Sequence, residues 1–364
     1  MNAKEKYLTL QEIVAAARKN LPPGPWNYLI GATETETTQK RNRQALDSIA
    51  FRPRVLNDVS SVDSTASFLG KSVRLPVMLA PVGGMESFAE GAAAAAAKGA
   101  AEFGIPQMLS SVCQPGLEAT AAASGSNPRV FQLYVRGDEA WTDDWVRRAK
   151  DNGFTAFCFT VDSAFYSRRE RDIAGRFTKP WRPVDNSGMR FQAALSWDQV
   201  RRYKDKHDLP LILKGIATGE DAELSVKEGV EVVYVSNHGG RQLDHGLGSA
   251  AVLPEVLTAV RGRAEVWVDG GFMRGSDVVK AIAMGARTVG LGRLACLGLA
   301  AAGVPGLVRT LELLEEEVRI CLGLLGVTSI AGLTPAHVTS ALPVSAPGAL
   351  SAFPLIDEFP PVDA

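Results

Sequence analysis

Eight short, nearly continuous apolar runs recur along the chain: LPVMLAP (75–81), IPQMLSS (105–111), RVFQLYV (129–135), AFCFTVD (156–162), PLILKGI (210–216), VVYVSNH (232–238), EVWVDGG (265–271) and TVGLGR (288–293). Runs of this kind, lacking polar alternation, are what parallel strands buried on both faces require. Between them lie segments with acidic starts and a closing glycine, such as DEAWTDDWVRRAKDNG and GEDAELSVKEGV, which carry helix start and stop signals. The repeating unit is therefore strand then helix, eight times. An open doubly wound sheet repeats the same unit, but eight copies in about 220 residues fit a closed TIM (β/α)8 barrel, an α/β fold, better.

Successive runs start 22 to 33 residues apart, except that 54 residues separate the fourth start from the fifth. The extra length is SAFYSRRERDIAGRFTKPWRPVDNSGMRFQ, polar, arginine-rich and broken by proline and glycine. Such a connection is a lid over a site or a disordered segment. The expected organisation is a single domain: a barrel over residues 75–326 with an active-site loop insert after the fourth strand, covering residues 163–196. Residues 1–74 form an N-terminal helical extension, with LTLQEIVAAARKN and, after a proline start, PPGPWNYLIGA, then an irregular stretch through FRPRVLND. Residues 327–364 form a tail that reads as irregular chain, packed on a neighbouring subunit or loose.

Composition narrows the partners. Hydrophobic residues are 46% of 364 positions, which suits a large core and opposes disorder over most of the length. With 39 basic and 40 acidic residues the net charge is −1, so nothing attracts a polyanion and nucleic acid is not an expected partner. Cys113, Cys158, Cys296 and Cys321 are far apart and form no CxxC pair, which supports neither a zinc ribbon nor a disulfide framework. No metal site is read, and a reducing cytoplasm is the expected compartment. The N-terminus is charged from its fourth residue, and no stretch reaches about 18 uncharged apolar residues, so membrane insertion is not expected.

In such barrels the active site forms at the C-terminal strand ends. The polar residues closing the runs stand there: Gln132, Tyr134, Asp162, Lys214, His238, Asp269 and Arg293. The densest cluster is SNHGGRQLDHG (236–246), where two glycines let the backbone turn so that His238 and Arg241 share one space. A base beside a carboxylate-binding cation is the implied pairing; the plain alternative is a structural histidine and a surface arginine. SRRERD (167–172) offers guanidiniums that bind carboxylates through two parallel hydrogen bonds, although Arg168 and Arg171 read as solvated charges. Lys214 of LKGI can form a Schiff base, stay charged beside a developing anion, or simply pair with Asp162 or Asp269. VDGGFMRG and LGRL follow the seventh and eighth runs, where barrels often bind phosphate with glycine amides and an arginine.

Together, SNHGGRQLD, LKGI, FTVDS followed by RRERD, FQLYV, and DGG with GR resemble the FMN-dependent 2-hydroxy acid oxidases and dehydrogenases, over about residues 21–326. The resemblance implies an FMN-binding barrel, a homotetramer or larger, that oxidises an (S)-2-hydroxy acid to the 2-oxo acid. It makes His238 the base and Asp162 its partner, Arg169 and Arg241 the carboxylate clamp, and Tyr28 and Tyr134 substrate hydrogen-bonders. It sets Lys214 beside flavin N1 and the C2 carbonyl, with Pro81, Val82 and Gly83 against the ring and Ser110, Gln132 and Thr160 at its polar edge. Ser236, Asp269, Gly270, Gly271, Gly292 and Arg293 complete the cofactor set, Asp269 through ribityl hydroxyls. One departure stands out: the family's DGGxRRG reads DGGFMRG here, so Met273 replaces an arginine and a phosphate or ribityl contact is lost or supplied by Arg274.

Further departures bear on substrate and electron acceptor. Gly83 stands where the glycolate and lactate enzymes have alanine, and Val112 where the glycolate enzyme has a bulky aromatic, while Tyr166 adds a ring on the lid side. The resemblance then implies a substrate larger than glycolate, mandelate-like or a longer aliphatic acid. The insert is short, without a membrane-binding segment, and no haem-binding extension is present, so electrons leave to dioxygen or a diffusible acceptor. Two other classes share the barrel: a Schiff-base aldolase acting through Lys214, and an FMN-binding isomerase.

Overall fold

The computed structural model describes residues 2–179 and 188–358. All eight apolar runs form strands: β1 Val77–Leu79, β2 Gln107–Ser110, β3 Arg129–Leu133, β4 Ala156–Thr160, β5 Leu211–Ile216, β6 Val232–Val235, β7 Glu265–Val268 and β8 Thr288–Leu291. Each pairs in parallel with the next, and β8 returns to β1 with Val289 opposite Val77, so the sheet closes into a TIM (β/α)8 barrel. Closure removes the free edges that an open sheet leaves unpaired. The helices begin where the polar signals lie: Asp138 caps Glu139–Asp151 by accepting from the Trp141 amide, and Thr218 caps Gly219–Lys227 through the Asp221 amide.

The bore is filled by Met78, Met108, Val130, Cys158, Ile212, Val232 and Trp267. Phe68 stacks on Trp267 with ring centroids 4.8 Å apart. Phe68 comes from a hairpin, Ala66–Phe68 with Lys71–Val73, that enters just ahead of β1 and so plugs the N-terminal end of the barrel. The C-terminal mouth is left for a site.

Three features lie outside the sequence expectations. β8 runs into a helix spanning Arg293–Leu325, kinked at Ala302 and Gly303; it is long and apolar enough to cross a membrane, yet it is mostly buried. It packs against Leu10–Asn20, whose apolar stripe Leu10, Ile13, Val14 and Ala17 is fully covered. The extension is also not purely helical, since Ile49–Phe51 pairs antiparallel with Val338–Ser340 of the tail. The tail in turn is not loose throughout: Phe353 is 1% exposed and packs into the core of its own chain. Burying one aromatic ring offsets part of the cost of ordering an otherwise irregular segment. The insert carries two short helices, Glu170–Ala174 and Met189–Ala193, while its middle (180–187) and the last tail residues (359–364) lie outside the described residues.

Candidate active site

The LKGI motif explains how Lys214 enters the mouth. The β5–β6 register shifts between Lys214 and Ile216, a bulge at Gly215, whose φ is +113°. A Cβ at Gly215 would lie 2.7 Å from Asp162 Cβ, so glycine both permits the bulge and lets Asp162 sit close behind it. Lys214 Nζ donates to Ser236 Oγ at 2.9 Å and pairs with Asp269 Oδ2 at 3.3 Å, and Ser236 donates to Asp269 Oδ1 at 2.5 Å. Burial pulls the Lys214 pKa down, but Asp269 and then Asp162 outweigh it, and the net shift is upward. The amine is held as ammonium.

His238 sits just beyond β6 with φ +60°, a left-handed conformation that costs a residue other than glycine roughly 1–2 kcal/mol. Gly239 and Gly240 continue the turn at φ +66° and +78°, and a Cβ on Gly240 would strike the Gln39 backbone at 2.6 Å. The turn is held by Ser236 Oγ, which accepts from the His238 amide at 3.1 Å. His238 Nδ1 lies 3.1 Å from Asp162 Oδ1, and Nε2 lies 3.1 Å from the Tyr134 hydroxyl. Burial pushes the Asp162 carboxyl up, yet His238 and Lys214 bring it below its ordinary value, so it is ionised and can only accept. Nδ1 therefore carries the proton, and Nε2 presents its lone pair. Burial also lowers the His238 pKa, with Asp162 opposing and Lys214 assisting. The imidazole is neutral at neutral pH, while burial raises the Tyr134 pKa and keeps that hydroxyl protonated.

Three guanidiniums gather beside this pair. Arg241 Nη1 donates to the carbonyls of Tyr28 and Gly31, both at 2.7 Å, and its guanidinium lies over the Tyr28 ring. Arg169, 8% exposed, donates through Nε to Ser167 Oγ and the Arg241 carbonyl. Arg293 donates to the carbonyls of Leu29, Gly239 and Gly31. Burial first, then the Arg241 charge, pulls the Arg293 pKa down to about 9. Buried cations that repel one another are a pre-formed site for anions.

These groups line one cleft of about 1130 Å³, counted out to its open mouth, larger than a drug-sized ligand needs. Its walls include Tyr28, Pro81, Val82, Gly83, Val112, Tyr134, Tyr166, Arg169, Lys214, His238, Arg241, Asp269, Gly270, Gly271, Gly292 and Arg293. Asp162 and Ser236 stand behind that surface, bonded to His238 and Lys214, and Ser110, Gln132 and Thr160 are buried at the ends of β2, β3 and β4. Arg274 is the exception. It caps Gly275–Met284, pairs with Glu317 at 2.5 Å and turns toward Phe353, away from the cleft, so it does not replace the arginine missing at Met273. Arg168 is exposed, but Arg171, read as solvated, makes two hydrogen bonds to Glu36 and ties the insert to the extension.

The sequence reading missed several neighbours. Arg136, Phe165, Met189 and Gln192 also line the cleft. Gln192 bridges the insert to the barrel, accepting from the Val135 amide at 2.7 Å and donating to the Thr160 carbonyl at 2.8 Å. Arg136 was detectable, since it stands two residues after Tyr134 and extended chain turns alternate residues to one side. Lys179, in a buried ion pair with Asp172 at 2.8 Å, stands between Thr178 and Pro180 with no comparable signal.

A parallel barrel with a buried base, a cluster of cations and glycine-rich turns after β7 and β8 defines an enzyme that handles an anionic substrate together with a phosphorylated ligand. The model of the family described as FMN-dependent dehydrogenase matches residues 17–340, and the chain belongs to that family. It is 38% identical to glycolate oxidase 1 of Oryza sativa subsp. indica over 90% of this chain and 95% of that protein. It is 35% identical to the L-lactate oxidase of Nostoc sp. over 91% and 97%. Among solved structures, mandelate oxidase with (S)-2-phenylpropionate superposes with a TM-score of 0.85 at 38% identity, over 93% of this chain and all of that one. A mandelate oxidase variant carrying a C4a-OH-FMN adduct gives a TM-score of 0.83 at 38% identity, over 92% and 99%. The chain is thus an FMN-dependent oxidoreductase of the 2-hydroxy acid oxidase family.

The residues present fit FMN. Both polar atoms of the Gln132 amide and the Thr160 hydroxyl are buried with no partner among the described residues, an arrangement that natural structures rarely leave unmatched. They are donors and acceptors of the kind a flavin edge requires. Around Gly292, at the N-terminus of Arg293–Leu325, a Cβ would meet nothing within 4 Å, which leaves open space where helix amides favour a phosphate.

Proposed function

We propose that this protein oxidises an (S)-2-hydroxy acid larger than glycolate to the 2-oxo acid. The observation that carries the reading is His238, neutral, backed by Asp162 and flanked by Arg169 and Arg241. Bound FMN would accept the two electrons released at the substrate α-carbon. Arg169 and Arg241 hold the carboxylate as a bidentate clamp. His238 Nε2 takes the proton, from the hydroxyl or the α-carbon, and Asp162 stabilises the imidazolium that results. Tyr28 and Tyr134 direct the substrate oxygens, and Lys214 supplies a fixed positive charge beside the ring. Gln132, Thr160 and Ser110 would meet the ring's polar edge, with Pro81, Val82 and Gly83 against its face and Asp269, Gly270, Gly271, Gly292 and Arg293 holding ribityl and phosphate.

Gly83 and Val112 leave room in the cleft for an aromatic or longer chain. A Schiff-base aldolase is disfavoured because it needs a neutral amine, whereas Lys214 is ion-paired and its pKa is raised. The names of the oxidase relatives favour dioxygen as the acceptor over another diffusible one. A homotetramer or larger in the cytoplasm completes the proposal. The test is anaerobic titration of the purified yellow protein with 2-hydroxy acids from glycolate to both mandelate enantiomers, followed by readmission of air. Bleaching of the visible flavin band supports the reading, and the rate of recovery in air separates oxidase from dehydrogenase. A yellow protein that no 2-hydroxy acid bleaches points to the isomerase.

A further inference from the structure

Among the described residues five cations line the cleft, Arg136, Arg169, Lys214, Arg241 and Arg293, against one carboxylate, Asp269. Lys214 has Asp269, while Arg241, Arg293 and Arg169 donate to backbone carbonyls or to Ser167. Arg136 differs from all of them. Among the described residues its Nε is buried without an acceptor, and the ionisable groups that act on it are Tyr134 and Tyr166, with no carboxylate among them. A half-buried guanidinium whose buried Nε has no acceptor among the described residues is costly, and the cost is recovered when an anion arrives.

Its position says which anion. Tyr134 reaches His238 Nε2, and Arg136 lies two residues further out on the same side of the chain leaving β3, on the wall shared with Phe165, Tyr166 and Gln192. A Cβ on Gly188 would lie 3.3 Å from Arg136 Cδ, so a glycine gives this side chain its space. The groups assigned to the substrate carboxylate, Arg169 and Arg241, are separate residues. We propose that Arg136 determines specificity by holding a second, distal carboxylate, and that the preferred substrate is a 2-hydroxy dicarboxylic acid. This deepens the 2-hydroxy acid reading above and rests on it. Of the larger substrates considered there, it selects the longer aliphatic chain and gives it an acidic end.

The test compares chain-matched acids in anaerobic stopped-flow reduction of the holoenzyme: malate with 2-hydroxybutyrate, 2-hydroxyglutarate with 2-hydroxyvalerate, and 2-hydroxyadipate with 2-hydroxyhexanoate. For at least one length, kred/Kd is expected to favour the diacid by about tenfold or more, the scale of one charge-assisted pair. Arg136→Met should collapse that ratio to near one or below, and Arg136→Lys should keep part of it. Because the measured quantity is a ratio within one protein, a general loss of activity cancels. A wild-type preference for the monoacid at every length, or a ratio unchanged in Arg136→Met, overturns the assignment while leaving the 2-hydroxy acid reading intact. Absence of bleaching by all six acids overturns the assignment, and absence of bleaching by glycolate and both mandelate enantiomers as well overturns the 2-hydroxy acid reading.

Discussion

The two halves of the cleft are built differently. On the strand-end side, Asp162, Lys214, Ser236, His238 and Asp269 form one hydrogen-bonded network rooted in β4, β5, β6 and β7, so barrel register fixes every member. On the insert side, Tyr166, Arg169 and Lys179 rest on side-chain links: the Lys179–Asp172 pair, Arg171 on Glu36, and Arg169 on Ser167. The proton-handling groups lie on the rigid half, where displacement of a fraction of an ångström would matter. Groups that meet the substrate are divided: Gly83, Val112 and Arg136 follow β1, β2 and β3, while Tyr166 and Arg169 lie on the insert, where sequence changes do not disturb the barrel.

If that division is right, the largest loss comes from the rigid half. His238→Ala should slow anaerobic flavin bleaching by about 100- to 10,000-fold, the range for losing a general base, with FMN still bound. Bleaching at the wild-type rate would remove His238 from the reaction. Arg241→Ala should weaken substrate binding next, by roughly 30-fold or more, and more than Arg169→Ala does, because Arg241 also braces the Tyr28 and Gly31 carbonyls. Equal losses in the two variants would erase the distinction between the halves.

Asp162→Asn should lower the bleaching rate by about 10- to 100-fold, and its pH profile carries a sign. In the wild type, burial holds the His238 pKa below its ordinary value, so the rate is level near neutrality and falls as pH drops through that lowered pKa, where the imidazole becomes protonated and cannot accept. Asp162 raises the His238 pKa. Removing its charge lowers that pKa further and moves the acid limb to lower pH. A limb that stays in place would mean that another group sets it.

The same division governs how much the sequence reveals. Buried parallel strands announce themselves as unbroken apolar runs, and the residue that ends each run falls at the mouth, which is why His238, Lys214, Asp162 and Tyr134 were found from position alone. Arg274 misled because adjacency in sequence says nothing of direction: as the cap of a helix it points back to Glu317. The packing of Phe353 and the pairing of Ile49–Phe51 with Val338–Ser340 depend on contacts between distant ends of the chain, which no local pattern encodes. Arg171 reads as a solvated charge because its partner, Glu36, lies on a distant segment of the chain.

The smallest expected effect is the sharpest test of the insert half. Lys179 and Asp172 are 4% and 5% exposed, and burial pulls the Lys179 pKa down while Asp172 partly restores it. Lys179→Met leaves a buried carboxylate without its cation, a larger penalty than the pair's own net contribution. The carboxylate escapes by protonation or by shifting its segment, so Arg169 loses its setting, and substrate Kd should rise a few-fold while the limiting bleaching rate changes little. Adding Asp172→Asn removes the stranded charge and should bring Kd back toward the wild-type value, a coupling that a double-mutant cycle reads directly. Additive losses would mean that the two residues act separately and that the insert is positioned by its other links, Arg171–Glu36 and Gln192, instead.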